Sequence, residues 1–178
     1  MNRFFYSVLL GLLVFSIPCF SQTSSLKYRD TNAAWLNFGL GPGNANFHKR
    51  SAPSEMIHVA MGLNVRHHWQ VFSIGLDGYG SECWDVGLYY GLFGVSSHAK
   101  NGEFTIAAGP SITQWSHNTE SSYGTIESAS YLGGTVMAQF IAHFPQVLGI
   151  GFIINATVNK EVSTYGFAIS LFIGGWNF

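Results

Sequence analysis

The 178 residues carry 8 Lys+Arg against 9 Asp+Glu, and only 10 % of them are charged, where soluble domains average about 25 %. A net charge of −1 gives no basic surface and no hint of nucleic acid as a partner. Two cysteines, Cys19 and Cys83, do not make a disulfide framework.

The chain opens "MNRFFYSVLLGLLVFSIPCFSQ", with Arg3 ahead of an apolar stretch from Phe4 to Ile17 and small residues near Ser21. That layout predicts a secretory signal peptide over 1–21, cut before Gln22. A transmembrane anchor is one alternative, although the stretch is short for a hydrocarbon core of about 30 Å. Acylation of Cys19 is another, opposed by Pro18 where a small residue is required. Removing 1–21 leaves 157 of the 178 residues, enough for one domain. We assign 22–32 to a periplasmic N-terminal segment and 33–178 to the domain. No later apolar run approaches the ~20 residues of a helical span. An exported chain so poor in charge has few settings, and an outer-membrane barrel is one of them.

Eight segments of alternating polarity follow, which is the strand signal. In the first, Ala34, Leu36, Phe38 and Leu40 alternate with Trp35, Asn37, Gly39 and Gly41. The second sets Ile57, Val59, Met61, Leu63 and Val65 against His58, Ala60, Gly62 and Asn64, and the third sets Phe72, Ile74 and Leu76 against Ser73, Gly75 and Asp77. In the fourth, Trp84, Val86, Leu88, Tyr90 and Leu92 form the large face and Asp85, Gly87, Tyr89 and Gly91 the small one. The fifth opposes Phe104, Ile106, Ala108 and Ile112 to Thr105, Ala107, Gly109, Ser111 and Thr113. The sixth opposes Leu132, Val136, Ala138 and Phe140 to Tyr131, Gly133, Thr135, Met137 and Gln139. "VLGIGFIINATV" is the seventh, with Leu148, Ile150, Phe152, Ile154 and Val158 on the large face and Ile153, Asn155 and Thr157 on the other. The eighth begins near Thr164.

The second face is small and almost free of charge, whereas a soluble barrel would show Lys and Glu there. Lys, Arg, Asp and Glu can all be placed in connections or at strand ends, including Arg66, Asp77, Asp85 and Glu103. Lipid-exposed cations at mid-bilayer cost about 2–4 kcal/mol, so the pattern predicts an all-β, eight-stranded, antiparallel, up-and-down transmembrane β-barrel. Its bulky faces meet lipid and its small faces line a narrow lumen of Trp35, Asn37, His58, Tyr89, Tyr131, Gln139 and Asn155. Trp35, Tyr89, Phe93, Tyr131 and Met137 would obstruct the bore. Links two to three, four to five and six to seven are short, as periplasmic turns tend to be. The stretches 42–54 and 114–128 are long and polar, and fit external loops. An even strand count puts both termini in the periplasm, with the barrel in the outer membrane.

Pro110 lies inside the fifth segment and predicts a bulge or a local break. In the last segment Phe172, Trp176 and Phe178 have the opposite parity to Phe167, Ile169, Leu171 and Ile173. A bulge at Gly174–Gly175 would bring both sets outside. The export signal, the alternating strands and the terminal pattern Gly174, Trp176, Phe178 together resemble the small outer-membrane β-barrels of the OmpX/OmpA type, particularly the short exported barrels of Bacteroidetes. The resemblance implies that the terminal strand is the signal read by the barrel-assembly machinery, the expected partner besides outer-membrane lipid.

Sites of chemistry are sparse. His67 and His68 are neighbours on a strand and should face opposite ways, so they are not expected to share a metal. Ser116, His117 and Glu120 in "WSHNTE" supply a nucleophile, a base and an acid in kind, the low-ranked catalytic alternative. The His-x-Ser motif of lipid A deacylase barrels is missing. Cys83 beside Glu82 has nothing to activate it, and no glycine pattern cradles phosphate. No cofactor or metal is expected. The expected function is a non-enzymatic outer-membrane protein with a structural or surface-contact role through loops 42–54 and 114–128. The alternatives are a lipid-modifying hydrolase, and binding or passage of a small apolar molecule.

Overall fold

The computed structural model describes residues 32–48, 55–81, 84–99, 102–118, 126–144 and 147–176. The expected signal peptide, nearly all of 22–32, Cys83, Glu120 and Phe178 lie outside the described residues.

Alternation yields strands throughout. They are β1 (Ala33–Phe47), β2 (Met56–His67), β3 (Gln70–Gly80), β4 (Trp84–Ala99), β5 (Gly102–Asn118), β6 (Ile126–Phe144), β7 (Leu148–Asn159) and β8 (Val162–Trp176). Each pairs antiparallel with the next and β8 pairs with β1, closing the barrel. A row of paired residues begun at Ala34 runs through Val65, Phe93 and Val136 and returns to β1 at Asn44, ten residues further along. Eight strands with that stagger tilt by about 40° from the barrel axis.

The outer wall is apolar. Leu36, Phe38, Ile57, Leu63, Ile74, Phe152, Ile169 and Leu171 all project outward and are exposed. On β7 the outward residues from Leu148 to Val158 climb about 25 Å along the axis, the height of the apolar band of a membrane-spanning barrel. Beyond the band, at the end away from the termini, outward positions turn polar at Asn46, Asp85, Gln114, Ser128 and Ser130. The strands are therefore transmembrane, and the barrel has a termini end and a far end.

Several expectations are corrected. On β4 the large face points inward: Trp84, Val86, Leu88, Tyr90 and Leu92 are buried, while Tyr89 is 46 % and Phe93 72 % exposed on the outer wall. Cross-strand partners share a face, and β3 places Ser73 opposite Leu92, Gly75 opposite Tyr90 and Asp77 opposite Leu88. With the small face of β3 turned in, β4 has no choice. Gly75 makes the room, since a Cβ there would lie 2.4 Å from the Tyr90 ring. Tyr89 and Phe93 therefore do not obstruct the bore.

Asp77 is not in a connection but inside the barrel on β3, fully buried. No bulge occurs in β8, whose register against β1 is constant from Val162 to Trp176, and Phe172 is buried in the lumen instead of facing lipid. Register is equally constant across Pro110. The β4–β5 ladder lapses only between the pairs Tyr90–Ser111 and Phe93–Ala108, while Pro110 stays opposite Gly134 on β6, so of the two expected outcomes the local break occurs without the bulge. The strands also run further than the polar stretches suggested: β1 continues through Pro42 to Phe47 and β5 through Gln114 to Asn118.

Candidate functional site

The lumen is built in layers, because inward positions of neighbouring strands meet at the same height. At the termini end, Arg66 near the end of β2 puts Nη1 2.8 Å from Oε2 of Glu103 at the start of β5. The Ser96 hydroxyl donates to Oε1 of the same carboxylate at 2.5 Å. All three are buried, so two charges placed at strand ends by sequence pair within the bore. Trp35, Val71, Ile141 and Phe172 pack in one apolar cluster with Leu92, Met137 and Ile153.

A polar layer lies within that cluster's span. Asn64 donates to Asn37 Oδ1 at 2.8 Å, and its own Oδ1 accepts from Ser73 Oγ at 2.7 Å and from Gln139 Nε2 at 3.2 Å. Further toward the far end sits Asp77, which accepts from Tyr90 Oη at 3.2 Å and from Asn155 Nδ2. His58 Nε2 is 3.5 Å from Asp77 Oδ2, Tyr79 Oη donates to Asn155 Oδ1 at 2.7 Å, and the His58 and Tyr79 rings stack at 4.7 Å. A buried carboxylate is tolerated only when such partners replace its water. Gly166 leaves space for this group, since a Cβ there would come within 2.5 Å of His58 Nδ1.

The far mouth is shut by aromatics. Phe47 lies 4.4 Å from Trp84 and 5.8 Å from Trp115 between ring centroids, with Met56, Val86 and Val162 packed around them and Tyr131 half-buried against them. His117 stacks on Trp84 at 4.1 Å.

The structure thus places Trp35, Asn37, His58, Gln139 and Asn155 in the lumen, Tyr131 at its far mouth, and Tyr89 on the lipid wall. Ser116 and His117 are consecutive on β5 and project to opposite faces, His117 inward against Trp84; they do not converge, and Glu120 lies outside the described residues. His68 leaves the strand at a turn with φ 57°, so its ring meets that of His67 edge-on at 4.1 Å, contrary to the expected opposite facing. His67 Nδ1 lies 2.8 Å from Asn32 Oδ1. Among the described residues no group of three or more His, Cys, Asp or Glu gathers to hold a metal. Gly174 packs against Trp35, and Trp176 ends the described β8 opposite Ala33.

The far rim is uneven. β5 and β6 are the longest strands, at 17 and 19 residues, against 12 for β7. Pairing of β6 with β7 begins only at Gly133 opposite Asn159, so among the described residues 126–132 of β6 pairs with β5 alone and extends past the β7–β8 turn.

No family model matches the chain, and no curated protein matches it. Among solved structures it is similar to Ail, the attachment invasion locus protein of Yersinia pestis, in complex with the heparin analogue sucrose octasulfate. There the TM-score is 0.62 at 9 % identity over 80 % of this chain and 98 % of that one. It is similar to Neisserial surface protein A, with TM-score 0.60 at 12 % identity over 82 % and 99 %. The N-terminal β-barrel domain of Pseudomonas aeruginosa OprF follows, with TM-score 0.51 at 9 % identity over 80 % and 97 %. In fold, this chain is a closed, eight-stranded, antiparallel up-and-down β-barrel, the architecture it shares with these solved barrels.

Proposed function

We propose that the protein is a non-enzymatic barrel of the outer membrane, with both termini periplasmic, that serves envelope structure and surface contact through its far, external end. The observation that carries this reading is the contrast between a packed lumen and a raised external rim. A bore filled by Trp35, Phe172, Met137 and Asp77 with its partners, and shut by Phe47, Trp84 and Trp115, has the geometry of a plug and weighs against passage of a solute. The β5–β6 hairpin stands clear of the apolar band and offers polar outward residues and an edge, 126–132, that no other described strand pairs with. Unpaired strand edges are ready templates for another polypeptide. Ail was solved with a heparin analogue, and a ligand of this chain would meet its external end, around 42–54 and 114–128, where β1 and β5 reach Phe47 and Asn118. Against catalysis stands the divergence of Ser116 and His117.

The test compares cells lacking the protein, complemented either with the full chain or with a version whose β5–β6 hairpin is shortened between Ser116 and Ser128. Fractionation and the gel shift between heated and unheated samples first establish insertion of both. Loss of surface adhesion or of envelope integrity with the shortened version alone supports the reading; identical behaviour of the two rejects it.

A further inference from the structure

The outer wall carries a groove of about 670 Å³, within the range of small-molecule sites. It runs obliquely between two rows of outward side chains, because rows of paired residues climb round a tilted barrel. Its upper bank is Phe38, Met61, Leu76, Tyr89, Ile112 and Leu132, consecutive partners from β1 to β6. The lower bank begins with Leu36, Leu63 and Ile74, then falls away at Gly91 and Pro110, where no long side chain stands. Backbone of Gly62, Gly75 and Ser111 forms the floor.

We infer that this groove is a binding site for one acyl chain of a membrane lipid, held more firmly than the lipid that surrounds the rest of the barrel. The inference rests on the outer-membrane reading, because the groove is continuous at both banks with the lipid-facing wall. Water cannot fill a cleft with so few polar partners. Hydrocarbon must therefore enter it, and a chain lying along the groove touches its floor and the bank from Phe38 to Leu132 together, where a neighbouring lipid touches only the outer tips of the wall. Dispersion is a sum over such close contacts. A second copy of the barrel fits less well: Leu132, 79 % exposed, and Tyr89 stand proud of the floor, so a facing barrel wall would rest on them and leave the groove void. A flexible chain conforms to it.

Gly91 provides a clean probe, since a Cβ added there meets nothing within 4 Å. Gly91→Leu puts a side chain into the open stretch of the groove, where the lower row lacks one and a Cβ has free space, and Leu132→Ala lowers the opposite bank. Wild type and both variants are refolded into palmitoyl-oleoyl-phosphatidylethanolamine vesicles, extracted in mild detergent and weighed by native mass spectrometry. The gel shift on heating confirms folding in each case. One retained phospholipid per wild-type barrel, reduced about tenfold in Gly91→Leu and less in Leu132→Ala, is expected. Equal retention in wild type and Gly91→Leu, no retention in wild type, or a wild-type dimer abolished by Gly91→Leu would each overturn the site. Failure of the wild type to insert at all would refute the membrane reading instead, and is seen separately in the gel shift.

Discussion

Removing one partner of the Arg66–Glu103 pair should cost far more than removing both. At 2.8 Å and an effective dielectric near 20, the two charges attract by about 6 kcal/mol, and both side chains are buried, so solvent screens little of it. Most of that attraction offsets the desolvation of two ions. Glu103→Gln removes the carboxylate charge that lies 2.8 Å from a buried guanidinium, and the expected loss is about 3–5 kcal/mol. Arg66→Met combined with Glu103→Leu removes the desolvation cost along with the attraction, so its net loss is small, close to the ~1 kcal/mol for the Ser96 hydroxyl that no longer has its acceptor. Urea unfolding of the refolded barrel in lipid vesicles, followed by tryptophan fluorescence, reads this directly. With a slope of about 2 kcal/mol per molar, Glu103→Gln lowers the midpoint by roughly 2 M, and the double variant by about 0.5 M. Single losses below 1 kcal/mol, or a double variant as unstable as the sum of the singles, would show that the pair is not the buried, coupled unit described.

Ile74 faces lipid on the wall of β3, so Ile74→Arg should destabilise the barrel by about 2–4 kcal/mol in the same urea assay, and an unchanged midpoint would place that wall out of the hydrocarbon. The inward packing of Gly166 against His58 makes Gly166→Leu an overpacking change of about 3 kcal/mol or more, visible as a lower urea midpoint or loss of the heat-dependent gel shift. In a Cys83→Ser background, a membrane-soluble maleimide should label Tyr89→Cys and spare Leu88→Cys; the reverse result would restore the sequence-based facing of β4.

What was legible in the sequence is the part that depends on neighbours along the chain. Alternation of bulky and small residues marks eight strands, and where one parity is as slight as Asn37, Gly39 and Gly41 or Ser73 and Gly75, it also marks the inner face. β4 gave no such signal, because Trp84, Leu88 and Tyr90 on one parity compete with Tyr89 and Phe93 on the other. The same ambiguity misplaced Phe172, whose parity is fixed by an unbroken register with β1.

The sequence by itself determined a charge-poor, alternating chain that must close into a barrel with hydrocarbon outside, since strands of this kind leave neither a soluble surface nor a stable open edge. Only the tertiary structure decided which side chains of β4 turn inward, that Arg66 meets Glu103 from residues 37 apart, and that Asp77 sits among His58, Tyr90 and Asn155. The reason is physical: periodicity is a property of one strand, whereas facing and partnership are set by hydrogen-bond register between strands, which no single segment contains.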